Sequence, residues 1–365
     1  MDKIDVIEIF INGEKIGKMA LTEQNLCAFE YDTEFLKNGF SISPYFLPLR
    51  SELFVAKREP FFGNFGVFDD SLPDGWGALV LDRFLKTKNI NPEKLTVLQH
   101  LALVGTNGRG ALEYFPDKSI KRENDFLDLH QLSSETEKML TSEYSGENLE
   151  TLYYYGGSSG GVRPKIFTKI DGKEWLIKFK AISDPADVGE IEFEYSVLAR
   201  QCGIEMPETR LFEKKYFGVE RFDRTSAGKI HTISAAGLLN ADYRIPSIDY
   251  TDLLKICFNL TKNAENVYAL FRHMVFNIVI KNRDDHAKNF SFQHKNNTWK
   301  LSPAYDILPS LGFRGFHTTT VNGQGKPTMK DILQVATNAA LNKKRTAEII
   351  EQVAETCRKK ISIII

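Results

Sequence analysis

Apolar and polar residues recur with two different periods along the chain, and the change from one to the other predicts its organisation. An apolar run at Ile4–Ile11 turns at Asn12-Gly13 and returns through Ile16–Leu21, which predicts an opening antiparallel hairpin. Ala78–Phe84 and Leu95–Leu103 then carry helical spacing. Residues 116–150 are charged and Ser/Glu-rich and read as a linker or solvated insertion. From Leu152 the segments TLYYY, KIFTKI and EWLIKFK read as strands. They form a pair of hairpins around a glycine-rich GGSSGG loop and an Asp171-Gly172 turn. A helix is predicted over 190–202 and a further strand in PETRLFEKKYFGVERFDR.

After Tyr243 the period becomes helical. Val267, Leu270, Phe271, Met274, Val275, Ile278 and Val279 make one amphipathic stripe, and residues 329–341 and 346–357 repeat the pattern. A β-rich half followed by an α-rich half predicts an α+β chain of two lobes around a cleft. The segments expected are 1–115, a connecting 116–150, a strand-rich 151–245 and a helical 246–365.

Composition narrows the function classes. The 365 residues carry 47 Lys+Arg against 48 Asp+Glu, a net charge of −1, which leaves no overall electrostatic footprint for nucleic acid or an anionic membrane. Cys27, Cys202, Cys257 and Cys357 are widely spaced and form no metal or disulfide motif. No apolar run approaches the roughly 20 residues of a spanning helix, and the first residues lack the h-region of a signal peptide. A cytoplasmic protein is expected.

The stripe feeds directly into NRDDHAKN, residues 282–289, and a predicted hairpin around Asn296-Asn297 leads to LSPAYD at 301–306. Asp284, Asn289 and Asp306 thereby become oxygen donors on either side of one ribbon. Phosphoryl transfer needs such a set: an aspartate to orient a hydroxyl, and an amide and a second aspartate to hold Mg²⁺ against ATP phosphates. The interval D-x-x-x-x-N is that of kinase catalytic loops. A polar loop capping a helix is the plainer reading of the interval alone, and the hairpin and second aspartate outweigh it. Asp285 is the alternative base, disfavoured by the interval to Asn289. His286 either holds the loop's shape, the reading we favour, or lines the phosphate site.

Weaker signals stand upstream. Ser158, Ser159, Gly160 and Gly161 form a loop whose backbone N–H groups and hydroxyls could close on phosphate oxygens, with Arg163 and Lys165 following. Alone it is an ordinary flexible loop. Lys178, in the strand WLIKF, has the neighbours of a kinase strand lysine, with Glu192 or Glu194 as the carboxylate to orient it, while Lys180 reads as outward-facing. Glu220, Phe222 and Asp223 fall where a two-lobed kinase would bind adenine and ribose. As bare sequence, the cluster ERFDR is more often a surface ion-pair network.

Taken in order, GGSSGGVRPK, WLIKF, VERFDR, NRDDHAKNFSF and LSPAYDILPS resemble the HipA family of serine/threonine kinases, toxin components of bacterial type II toxin–antitoxin systems. FEYDTEFLKNGFSISPYFLPL and LPDGWGALVLDRFL look like the subdomain that precedes the kinase core in that family. The resemblance implies a kinase-like fold with an extra N-terminal subdomain and an all-α C-lobe. It implies ATP and Mg²⁺ as cofactors and a protein acceptor, aminoacyl-tRNA synthetases being family substrates. It also implies Asp284 as catalytic aspartate, Asn289 and Asp306 as metal ligands, Lys178 as the ATP lysine, and Glu220 and Phe222 at the adenine hinge. Ser158 matches the autophosphorylated loop serine, with Ser159 as the adjacent alternative. A phosphate there adds about −1.5 to −2 charge to a loop built for ATP phosphate and would switch the enzyme off. The partner implied is a small helix-turn-helix antitoxin, through which alone the chain would reach DNA. No membrane partner is expected. The alternatives are a small-molecule or lipid kinase on the same scaffold, or a catalytically silent member of a toxin–antitoxin complex.

Overall fold

The computed structural model describes residues 1–120, 128–141 and 148–364, with side chains to residue 360. They form two compact units, Met1–Glu190 with Arg210–His231, and Ile191–Thr209 with Thr232–Ile365.

In the first unit the opening hairpin forms as predicted. β1 (Val6–Ile11) pairs with β2 (Glu14–Leu21), and Asn12 and Gly13 take φ of 49° and 84°, the left-handed pair that a two-residue turn demands. With β3 (Cys27–Tyr31), β4 (Phe54–Val55) and β5 (Leu112–Phe115) they make an antiparallel sheet of order β4-β3-β2-β1-β5. Two one-turn helices, α1 (Phe35–Asn38) and α2 (Gly66–Asp69), lie along this stretch. They precede α3 (Gly75–Thr87) and α4 (Val97–Val104), the two helices expected here. Thr96 and Gln99 close α4 with a reciprocal capping box.

Two expectations about the middle of the chain are corrected. The charged stretch contains a helix, α5 (Leu129–Leu140), which buries Leu129, Leu132, Thr136 and Met139. Those positions fall on one helical face, so the stretch packs instead of floating. Residues 121–127 and 142–147 of the expected insertion lie outside the described residues. TLYYY is also helical, within α6 (Leu149–Gly156), because Leu149, Leu152, Tyr153 and Gly156 bury one i, i+3, i+4 face. Tyr153 stacks on Phe84 of α3 at 4.5 Å and 9°. That contact overrides the strand preference of consecutive tyrosines. The glycine-rich loop therefore joins a helix to a strand.

That strand is β6 (Lys165–Ile170), paired with β7 (Lys173–Lys178). After α7 (Val188–Gln201), β8 (Thr209–Phe212) and β9 (Tyr216–Glu220) complete a sheet of order β6-β7-β9-β8. Trp76, Val80, Leu132, Leu152, Ile166, Trp175 and Ile177 share one buried cluster, so α3, α5 and α6 are held against this sheet. Each such side chain contributes about 1.5–3 kcal/mol by leaving water. A short ribbon, β10 (Arg224–Thr225) with β11 (Gly228–Lys229), ends the unit.

The second unit contains β12 (His231–Ser234), which leads into α8 (Ala235–Leu239), α9 (Tyr250–Thr261) and α10 (Ala264–Ile280). The predicted stripe is buried on α10 from Val267 to Val275, but Ile278 and Val279 are only half-buried, while His273, Phe276 and Asn277 are inside. The predicted hairpin is β13 (Ser291–Lys295) with β14 (Thr298–Leu301), turned by Asn296 and Asn297 at φ of 52° and 55°. α11 (Met329–Asn338) and α12 (Lys343–Ile364) close the chain. Among the described residues no helix is long and apolar enough to cross a membrane. All four cysteines are free thiols and buried.

Candidate active site

α10 ends where Lys281 enters the left-handed region at φ of 59°. The chain reverses there and Asn282 becomes the hub of the next two loops. Its backbone N–H donates to Asn277 O at 2.8 Å, and its amide nitrogen reaches Asn277 Oδ1 at 3.1 Å and Asp306 O at 3.4 Å. Its Oδ1 accepts the Asp284 N–H at 3.3 Å. One buried amide thus touches both aspartate-bearing segments. Tyr305 adds a second tie, its hydroxyl donating to Lys288 O at 2.6 Å and lying 2.5 Å from Ser291 Oγ.

Asn289 closes a 3-10 turn, and its Nδ2 donates to Asp284 O at 2.7 Å. The bond fixes the amide with its oxygen turned away from that contact. Asp306 is held at φ of 56°, in the left-handed region that aspartate enters more readily than most non-glycine residues. The oxygen set fits a hard cation that keeps waters and takes phosphate oxygens, as Mg²⁺ does. Among the described residues no group of three or more His, Cys, Asp or Glu is placed to hold a metal ion.

Asp284 and Asp285 part company. The Asp284 side chain is largely open to solvent, with His286 Nε2 at 3.9 Å. Asp285 is fully buried. Its carboxylate accepts from Tyr250 Oη and the Thr318 N–H at 2.9 Å each and from the Thr319 N–H at 3.3 Å, and lies 2.9 Å from His317 Nδ1. Such a group is closed to an incoming hydroxyl, whereas Asp284 is open to one. Burial, then the Asp285 charge, pushes the Tyr250 hydroxyl well above its ordinary range. His286 Nδ1 is buried without a hydrogen-bond partner, its ring 5.8 Å from that of Tyr243. Lys288, also buried, sets its ammonium 4.1 Å over the same tyrosine.

The glycine-rich loop, in the first unit, is moulded on the start of α3. Asp74 Oδ1 accepts the Gly161 N–H, and Trp76 donates its own N–H to Gly161 O at 2.8 Å and its indole N–H to Lys165 O at 3.1 Å. A Cβ on Gly77 would lie 2.1 Å from Ser159 O, and one on Gly75 2.4 Å from Gly161 O. Asp74 and Trp76 were missed as site residues, though LPDGWG sets a tryptophan between two glycines directly after an acid. Ser158 is half-buried, with its hydroxyl on Asn107 O at 3.0 Å. Ser159 is buried and bonds Gly156 O at 2.6 Å. Gly160 lies beside the Asp74 carboxylate.

Lys165 and Lys178 are direct cross-strand partners in the β6–β7 register, and both are buried. Lys180 faces outward to Glu137 at 3.5 Å, as expected. Arg163 is engaged by Asp184 at 2.9 Å. Of the two α7 carboxylates expected to orient Lys178, Glu192 is buried and Glu194 exposed.

At the expected hinge, Glu220 receives Lys173 at 3.0 Å, and Phe222 is half-buried. Asp223 corrects the sequence reading. It is buried between Arg221 and Arg224, at 2.9 and 3.0 Å, and takes the Gly110 N–H at 2.7 Å. Burial alone would raise its carboxyl. The Arg221 and Arg224 guanidiniums and the amide together hold it far below the usual range. A carboxylate so enclosed pins residues 108–110 and is withdrawn from ribose contact.

Comparison with known proteins follows this geometry. Residues 7–115 match the HipA N-terminal domain and residues 157–361 the HipA-like C-terminal domain. The chain belongs to the HipA family. Its relatives include the Sinorhizobium fredii proteins "Putative kinase Y4dM" and "Putative kinase Y4mE". The first is 22% identical over 98% of this chain and 91% of the relative, and the second 30% identical over 85% and 78%. A chain of the Shewanella oneidensis MR-1 toxin–antitoxin complex of HipA, HipB and operator DNA superposes with a TM-score of 0.73. It is 16% identical over 98% of this chain and 90% of that one. The α+β HipA fold expected from the sequence is the fold observed, except that the second unit, expected to be all-α, carries the β12-β13-β14 sheet.

Proposed function

We propose that this HipA-family chain is an ATP- and Mg²⁺-dependent serine/threonine protein kinase. The observation that carries the reading is the hub at Asn282, which joins the Asp284 loop to the Asp306 loop through one amide. Asp284, open to solvent, accepts a hydrogen bond from the acceptor hydroxyl and then its proton. The hydroxyl oxygen bonds to the γ-phosphorus as the bond to the β–γ bridging oxygen breaks, and ADP leaves. Asn289 and Asp306 would hold Mg²⁺, which would supply positive charge against that developing on the phosphates. The Ser158–Gly161 loop, Lys165 and Lys178 receive the phosphates, His286 shapes the Asp284 loop, and Glu220 and Phe222 flank adenine. Self-phosphorylation of Ser158 would place a phosphate where ATP's should sit and inactivate the enzyme.

The family and the Shewanella assembly support a small helix-turn-helix antitoxin as partner, with DNA reached through it. An aminoacyl-tRNA synthetase as acceptor rests on the family resemblance alone. The test is intact mass after incubation with Mg²⁺-ATP and a cell extract, for wild type and Asp284→Asn. Phosphate on protein in wild type and none in the variant is expected. Phosphate gained equally by Asp284→Asn overturns the assignment, and phosphate on small metabolites alone makes the chain a small-molecule kinase.

A further inference from the structure

The segment after Asp306 presents a surface that the phosphoryl-transfer chemistry does not use. Leu311 and Phe313 are 85% and 80% exposed, and Phe316 is also open. Three large apolar side chains exposed within six residues mark an interaction site more often than chance. Between Ile307 and Lys330 the chain carries Arg314, Lys326 and Lys330 and no carboxylate. The cations interleave with the rings, Arg314 lying 5.2 Å from the Phe313 centroid and Lys326 4.7 Å from that of Phe316.

The loop is built. Gly312, Arg314 and Gly315 take φ of 62°, 53° and 75°. Ser310 N–H donates to Lys281 O at 3.0 Å, Phe316 N–H to Phe313 O at 3.1 Å, and His317 N–H to Gly325 O at 2.8 Å. Arg283, immediately before Asp284, donates to Leu311 O at 3.3 Å, and a Cβ on Gly312 would meet its side chain at 2.6 Å. The exposed surface is therefore continuous with the loop that carries the proposed base, and its shape is fixed before anything binds.

We infer that Leu311, Phe313, Arg314, Phe316 and Lys326 form the docking surface for the acceptor protein, and that its occupant is an acidic–apolar segment near the acceptor serine or threonine. Apolar side chains would cover Leu311 and the two rings, and Asp or Glu would meet the cations, which no carboxylate of residues 307–330 neutralises. Charge of this kind sets partner choice and encounter more than raw affinity. A nucleic-acid strand fits less well, because such sites need a positive groove tracking a backbone and here three apolar anchors outnumber the two cations. The inference rests on the kinase reading and names its substrate class.

Its test separates the two. Full-length Asp284→Asn binds probes without turnover, read by fluorescence anisotropy. The probes are a labelled serine peptide flanked by Glu, Leu and Phe, its Lys-for-Glu counterpart, a single-stranded oligonucleotide, and vesicles of anionic phospholipid. The acidic–apolar peptide should bind at least about tenfold tighter than its Lys counterpart. Adding Phe313→Ala or Arg314→Glu, both at exposed positions, should each cost about tenfold, while either change in the otherwise wild-type chain leaves self-phosphorylation intact. Equal binding of both peptides, unchanged binding in the variants, or no binding overturns the inference. So does a preference for oligonucleotide or vesicle that these variants abolish. If the peptide binds as expected but wild type transfers no phosphate, the kinase reading fails and the surface stands.

Discussion

Asp285 Oδ2 lies 2.9 Å from His317 Nδ1, and both side chains are buried beneath the loop that carries Asp284. The same carboxylate gathers Tyr250 Oη and two backbone N–H groups. Tyr250 Oη accepts from Asn277 Nδ2 at 3.1 Å, and Asn277 holds Asn282. A continuous polar chain therefore runs from His317 through Asp285 and Asn282 to the two aspartate loops. Networks of this kind stabilise only when complete, since a buried group left without its partner costs its full desolvation.

Asp285→Ala strands four donors at once. It should lower stability by several kcal/mol, since each buried donor left without its acceptor costs about 1–3 kcal/mol. Asp285→Asn keeps one acceptor oxygen and should cost less. Urea unfolding measures both. In Asp285→Asn, phosphate transfer should fall at least tenfold with the KM for ATP unchanged, because the change misplaces Asp284 without touching the residues proposed to receive phosphate. A rise in KM alone would contradict that placement.

His273 gives a pH signature. Burial pushes its imidazole down to about 4. The unfolded chain binds that proton near the ordinary value of about 6.5, so between the two values the unfolded state holds more protons. Stability therefore falls as pH drops below about 6.5 and continues falling to about 4, at a limiting slope near 1.4 kcal/mol per pH unit. His273→Gln should flatten this part of the profile. An unchanged slope in the variant would assign the loss to other groups.

How much of this was legible depended on how local each contact is. NRDDHAKN, the Asn296-Asn297 hairpin and the α10 stripe are written in short-range periods and turn residues, and the structure keeps all but the half-buried Ile278 and Val279 of the stripe. Asp285 was not legible as an anchor, because its partners come from Tyr250 and from residues 317–319. Asp74 meets Gly161 across 87 positions, which no local pattern encodes. Asp223 reads as a surface charge until residues 108–110 enclose it. The helix at Leu149–Gly156 was misread because tyrosine favours strands, while the face that buries it comes from α3.

The clasp between α3 and the glycine-rich loop makes Gly77 a test position. A methyl group there meets Ser159 O at 2.1 Å, which is backbone and cannot swing aside. Gly77→Ala should displace the loop and destabilise the first unit by about 1–3 kcal/mol, as overpacking does. It should also weaken ATP binding with Asp284, Asn289 and Asp306 untouched. Calorimetric ATP titration with Mg²⁺ present would show it, and wild-type affinity in Gly77→Ala would mean the loop does not hold phosphate.

The two loop serines should respond in opposite ways. Ser158 is half-buried, and rotating its hydroxyl off Asn107 O costs one neutral hydrogen bond, about 0.5–1.5 kcal/mol. Ser159 is fully buried and bonds Gly156 O at 2.6 Å, so a phosphate of about −1.5 to −2 charge could form there only by opening the α6 end of the loop. Incubated with Mg²⁺-ATP, Ser158→Ala should gain no mass and should keep phosphorylating an acceptor after wild type has stopped. Ser159→Ala should gain one phosphate as wild type does, with a stability loss of about 1 kcal/mol from the missing internal bond. Peptide mapping of the modified loop decides between them. A phosphate found on Ser159 would show that the loop opens before it is modified, and Ser158 would then lose its place as the regulatory site.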